Sequence, residues 1–335
     1  MTGGRTTRTG ALAAAALALA TAVSGCATAS ERAGAPASAT ALATVATTPA
    51  QRSAARFVTV EAFASAHVQP RRVTVWLPAG YDDAPDARYA VLYMHDGQNL
   101  FDPATSYGGV PWRVDAHVQD LMDRGAIRPT IVVGVWNTPL RTPEYFPNVL
   151  DRMAPEIAAV AGERTPLSDG YVKFLTEELK PWVDRQFRTR PDRANTFVAG
   201  SSMGGLISTY ALTERPDVFG GMAAISIHSP LITNGDLLRA KDPRVDQVAA
   251  AFVDYLKDEL PAPGTHRLYF DHGTINLDSI YAPYQARIDA AVRARGYRDG
   301  EDLKTLVFEG ADHNERSWDA RLDVPLTFLL AEPKR

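Results

Sequence analysis

The chain has a single cysteine among its 335 residues, Cys26, so no intramolecular disulfide can form and cross-links contribute nothing to the fold. It has no surplus of positive charge. Its 35 Lys and Arg against 39 Asp and Glu give a formal charge of −4, and the basic stripe that marks a nucleic-acid partner is missing. Paired metal-ligand spacing is absent, which argues against a metal hydrolase, and nothing points to a cofactor. Internal repeats are absent too. With 45% hydrophobic and 22% charged residues, the composition is that of an ordinary globular protein.

The N-terminus reads as an export signal. Arg5 and Arg8 precede the apolar run ALAAAALALATAV, which is too short to span a bilayer comfortably and is followed by SGCATAS. Val23-Ser24-Gly25-Cys26 resembles the lipobox of bacterial lipoproteins. The resemblance implies cleavage before Cys26, lipidation of its thiol and, with Ala27 next, an outer-membrane location on the periplasmic side. Residues 1–25 are therefore expected to be a lipoprotein-type signal peptide. Residues 26–55, rich in Ala, Thr and Ser, offer too little apolar surface to offset chain entropy, so a flexible tether is expected there. The only membrane contact expected is the lipid anchor.

From Phe57 onward the texture changes. RFVTVEAF and RRVTVWLP alternate apolar and polar residues, as half-buried antiparallel strands do. YAVLYMHDG, TIVVGVWN, TFVAGSS, GGMAAISIHS, HRLYFDHGT and LKTLVFEGADH are continuous apolar runs that end in polar residues, as strands buried on both faces do. Helical stretches lie between them. The pattern predicts an α/β domain over residues 56–335 with about eight strands, mostly parallel, and helices on both faces. In such sheets the chemistry sits at the carboxyl ends of the strands. Here those ends are polar: His95-Asp96-Gly97-Gln98, Trp136-Asn137, Ser201-Ser202, His228-Ser229, Asp271-His272-Gly273 and Asp312-His313-Asn314.

One of these ends, GSSMGG, leads from a strand into a helix. A nucleophile on so sharp a turn needs small residues two before and two after it. Centred on Ser202 those are Gly200 and Gly204, whereas centred on Ser201 they are Ala199 and Met203, so Ser202 is the candidate nucleophile. A serine needs an adjacent base, and in the order Ser, acid, His the base comes after the last strand, where His313 stands. The acid follows the strand RLYFD, with Asp271 and Asp278 as candidates; Asp278, in the loop ahead of a helix, is favoured over Asp271, a residue placed to pin the loop or cap a neighbour. The expected oxyanion donors are the backbone amides of Met203 and Gln98. His67, His117 and His266 read as structural.

Together these blocks resemble the esterase family of α/β-hydrolases that includes ferric-enterobactin esterases, esterase D, feruloyl esterases and mycolyltransferases. The resemblance covers about residues 70–330 and rests on VLYMHDGQNLFD, VVGVWNTPLRTPEYFP, ELKPWVDRQFRT, VAGSSMGGL, YFDHGTINLDSIYAPYQ and GADHNERSW. In feruloyl esterases the acid follows a Gly-Thr pair. Gly273-Thr274 precedes Asp278 at a longer spacing here, and the family's H-x-x-x-x-W is matched by His313 and Trp318. The resemblance implies the α/β-hydrolase fold and a serine carboxylic-ester hydrolase acting on a small-molecule or polymer-borne ester. Trp136, Arg141, Tyr145 and His228 are its candidate substrate-binding residues. Acyl transfer to a sugar or envelope acceptor, or binding without catalysis, are the alternatives.

Overall fold

A computed structural model describes residues 52–163 and 165–332. The signal peptide, Cys26 and nearly all of the expected tether lie outside the described residues.

Eight strands form one sheet: β1 (Arg56–Phe63), β2 (Arg71–Leu77), β3 (Ala90–His95), β4 (Thr130–Val135), β5 (Thr196–Ser201), β6 (Gly221–Ile225), β7 (Arg267–Gly273) and β8 (Leu303–Phe308). Their order is β1-β2-β4-β3-β5-β6-β7-β8. β1 pairs antiparallel with β2, β2 antiparallel with β4, and every later pairing is parallel. The sequence pattern anticipates this division. β1 alternates because one of its faces meets solvent, while β3, β4, β5 and β6 are buried along their whole length.

Burial on both faces means two cores. Val91, Tyr93, Val133 and Val198 point into one layer, and Leu92, Met94, Val132 and Phe197, their chain neighbours, point into the other. Helices Ser168–Lys173, Met203–Glu214 and Pro243–Glu259 pack in the first layer, and Val114–Asp123 and Asp323–Leu330 in the second. The helical stretch from Ser168 to Gln186 is interrupted. Phe174–Leu179 widens into a π turn, and the Lys180 amide bonds the carbonyl of Leu175, five residues back. Pro181 supplies the reason: it has no N–H for the ladder, so the turn ahead of it is re-registered.

One buried ion pair bears on the site. Arg71, at the start of β2, pairs with Glu144 (2.6 Å), and both side chains are at most 1% exposed. Glu144 belongs to the short helix Arg141–Tyr145, so the pair clamps the segment that carries Arg141 and Tyr145 against the sheet. The guanidinium also lies over the rings of Tyr171 and Phe174.

Candidate active site

β5 ends at Ser201, and the helix Met203–Glu214 starts two residues later. Ser202 between them has φ 56 and ψ −120, a backbone conformation rare for a side-chain-bearing residue. The turn closes only because Gly200 carries no side chain. A Cβ on Gly200 would stand 2.8 Å from the backbone of Gly204. At Gly204 an added carbon would meet Asp96 and His95 at 3.5 Å, an ordinary contact, so Gly200 is the position that admits no side chain. Ser201, 3% exposed, is the last residue of the strand and pairs with Ile225.

The loop after β7 and the loop after β8 are laced together. Thr274 N–H (3.0 Å) and Ile275 N–H (3.2 Å) both donate to the Ala311 carbonyl, and Gly310 N–H donates to Thr274 Oγ1 (2.8 Å). The lacing brings Asp278 to His313, with Nδ1 and Oδ1 2.6 Å apart. Asp278 is 0% exposed, and its other oxygen accepts from Gly273 N–H (2.6 Å) and Ser226 Oγ (2.6 Å). Burial alone would raise the pKa of such a carboxyl. The hydrogen bond and charge of His313, aided by Ser226 and Gly273, outweigh it and hold the carboxyl below its ordinary value. The imidazole is fixed from its flank as well: Trp318 stands edge-on at 5.0 Å and Tyr281 at 5.6 Å.

Asp271 sits elsewhere. It accepts from Ser226 N–H (3.0 Å) and Tyr269 Oη (2.8 Å), and forms a buried ion pair with Arg321 (2.9 Å). The structure therefore joins Asp278, and not Asp271, to His313. Between the two carboxylates lies the Ser226 hydroxyl, which donates to Asp278 and accepts from Trp318 Nε1 (3.0 Å) and Arg321 Nη2 (2.7 Å), using its full capacity.

Ser202, His313, Gln98, Arg141, Asp96, Asn137 and Glu315 share one cleft of about 480 Å³. Met203 is the first residue of its helix and Gln98 lies within the 3₁₀ turn Gly97–Asn99, so both amides belong to first turns that lack internal acceptors. The Gln98 carbonyl is turned away and held by Thr105 Oγ1 (2.7 Å).

The four expected substrate contacts are placed differently. Arg141 does line the cleft, but its Nε and Nη2 grip both oxygens of Asp96 (2.7 Å each), so it neutralises that carboxylate instead of standing free. Burial opposes ionisation of Asp96, yet Arg141 and Asn137 keep its pKa below the ordinary value. Trp136 turns to a neighbouring groove with Phe57 and Phe101, packs under Arg72 and donates to Thr74. Tyr145 is wholly buried below Arg141, and its hydroxyl accepts from Asp96 N–H (3.3 Å). His228 does not line the cleft, and both its ring nitrogens are engaged, with Tyr281 Oη (2.8 Å) and the Ile232 carbonyl (2.9 Å). An arginine, tryptophan, tyrosine or histidine in a loop advertises binding capacity, but only the fold shows where that capacity is already used.

The family model described as "Putative esterase" matches residues 65–328. The chain belongs to this esterase family. Among esterase relatives, the endo-1,4-beta-xylanase/feruloyl esterase of Xylanibacter ruminicola is 30% identical over 155 residues, covering 45% of this chain and 19% of that protein. The ferri-bacillibactin esterase BesA of Bacillus subtilis is 25% identical over 162 residues, covering 44% of this chain and 52% of that one. The chain thus spans between about a fifth and a half of the length of these relatives. A solved ferulic acid esterase superposes with a TM-score of 0.58 at 20% identity, over 84% of this chain and 99% of that one. The enterobactin esterase of Shigella flexneri superposes at 0.57 with 17% identity, over 82% and 59%. At these identities the likeness to the solved esterases is one of fold, the α/β-hydrolase fold.

Two histidines, His95 buried and His228 partly buried, make stability depend on pH. Burial lowers His95 to about 3 and His228 to about 4, against an ordinary value of about 6.5. Below about pH 6.5 the unfolded chain binds protons at these positions that the native protein refuses, so stability falls as pH drops towards 4. Urea midpoints should therefore be lower at pH 5 than at pH 7, and His228→Asn should narrow the difference. Equal midpoints for the wild type at the two pH values would contradict the neutral burial.

Proposed function

We propose that the protein is a serine carboxylic-ester hydrolase that works through an acyl-enzyme on Ser202. The observation that carries the reading is the 2.6 Å contact of Asp278 with His313, beside a serine held at φ 56 in the same cleft. Family membership supports the reaction class.

In this mechanism Ser202 Oγ attacks the acyl carbonyl while His313 takes its proton as general base. Asp278 holds the imidazole in the tautomer protonated on Nδ1 and stabilises its charged form. The negative oxygen of the tetrahedral intermediate is received by the Met203 and Gln98 amides. Collapse expels the alcohol, which takes the proton from His313. Water, deprotonated by the same histidine, then attacks the acyl-serine and restores the enzyme. The Asp96 carboxylate would oppose negative charge in the cleft, and its bidentate pairing with Arg141 removes that penalty. The substrate is a small-molecule or polymer-borne ester.

The test is hydrolysis of short and medium p-nitrophenyl esters. Ser202→Ala should lower kcat by about 10⁴ to 10⁶ with the fold intact, and Ser201→Ala should be tolerated far better. Equal activity of Ser202→Ala and wild type would refute the assignment; a comparable loss in Ser201→Ala would shift it by one residue.

We further propose that the enzyme is held in the cell envelope by lipid on Cys26. The support is the export-signal pattern ahead of Val23-Ser24-Gly25-Cys26. Metabolic labelling with a palmitate analogue should mark the wild type and not Cys26→Ser, whereas equal labelling of both would exclude this anchor.

A further inference from the structure

One carboxyl in the cleft is left without a countercharge. Glu315 opens the short helix Glu315–Asp319, two residues after His313, and lines the same cleft as Ser202. It is 9% exposed. The other carboxylates there are matched: Asp96 holds Arg141, and Asp278 holds His313. Glu315 has only a weak contact of its Oε1 with Asn99 Nδ2 at 3.5 Å, and among the described residues no Lys, Arg or His side chain pairs with it. Burial raises its pKa, its own backbone amide opposes the rise, and the Asp96 charge adds to it.

Asn99 sets what stands around this carboxyl. Its side-chain oxygen accepts from Tyr107 N–H (2.9 Å), so the NH2 end is the one turned to Glu315. The same tie holds Tyr107 at the cleft, where it is 78% exposed. A carboxylate and an accessible aromatic ring both attract a cation. The cleft offers no unpaired guanidinium that would repel one, since Arg141 is spent on Asp96. A neutral hydroxyl could satisfy a lone pair of Glu315 but would leave its charge uncompensated, whereas an ammonium or guanidinium group meets both needs.

We propose that Glu315 is a specificity-determining residue that selects esters carrying a positively charged ammonium or guanidinium group. The proposal rests on the serine-esterase reading above and narrows its substrate class. Because Glu315 and Ser202 share one cleft, a cation seated at the first belongs to the ester attacked by the second. An anionic ester is repelled by the same charge.

Two substrate pairs isolate the charge. Acetylcholine beside 3,3-dimethylbutyl acetate places it on the alcohol, and N-acetyl-lysine methyl ester beside N-acetylnorleucine methyl ester places it on the acyl side. In the wild type the cationic member of at least one pair should be favoured in kcat/KM by roughly five- to twentyfold. Glu315→Gln keeps the length of the side chain and an acceptor for Asn99, and it should abolish that preference. A merely structural role would lower both members of a pair equally and leave their ratio unchanged. No cationic preference in either pair, a preference that survives in a folded Glu315→Gln, or turnover of p-nitrophenyl esters with neither cationic ester turned over would overturn the proposal alone. A wild type that hydrolyses no ester and never reacts with a fluorophosphonate would overturn the serine reading, and this role with it.

Discussion

The constraint on which the cleft depends is the backbone of Ser202. A serine at φ 56 and ψ −120 stores about 1–3 kcal/mol of backbone strain. The cost is met by the packing around it. Ser202 N–H bonds the Ile225 carbonyl at the end of β6, and the Ser202 carbonyl receives Gly205, Leu206 and His228 amides. Gly200 and Gly204 pass so closely that a methyl group on the first would collide with the second. What results is a side chain presented where a central strand ends and a helix begins, where partial positive charge gathers.

Asp278 and His313 are held by a different means, a saturated buried network. Asp278 and Asp271 lie on the same loop-and-strand unit, and two unshielded carboxylates so placed would disfavour one another. Arg321 neutralises Asp271, and the Ser226 hydroxyl distributes its three bonds among Asp278, Trp318 and Arg321. Each group is satisfied, which makes a buried polar cluster rigid instead of costly. On the opposite wall Asp96, Arg141 and Asn137 do the same for the loop carrying Gln98, and the buried Arg71–Glu144 pair anchors that wall to β2. The cleft is thus walled by two neutralised carboxylate clusters and floored by one strained serine.

Much of this was legible in the sequence, for identifiable reasons. Continuous apolar runs mark strands buried on both faces, and the eight-stranded, mostly parallel sheet follows from them. Gly200 fixes the elbow register because steric crowding is local. The Gly-Thr pair before Asp278 has a physical meaning: Gly273 donates to the carboxylate, and Thr274 ties its loop to the loop of His313. What sequence does not convey is which polar side chains already have partners. Arg141, Trp136, Tyr145 and His228 have the chemistry of substrate contacts, yet their partners are Asp96, Thr74, the Asp96 amide and Tyr281, all distant in the chain or on other elements. Ser226 and Arg321 carry no local motif, and their place in the network depends on three loops meeting. The π turn before Pro181 is of the same kind, since proline predicts a disturbance but not its form.

An acyl group carried on Ser202 can be caught by rapid-quench intact-mass analysis during p-nitrophenyl acetate turnover. A transient gain of one acetyl is expected, mapped to the peptide containing Ser202 and absent in Ser202→Ala. Sustained turnover with no acyl adduct at Ser202, or with the adduct on another residue, would contradict it.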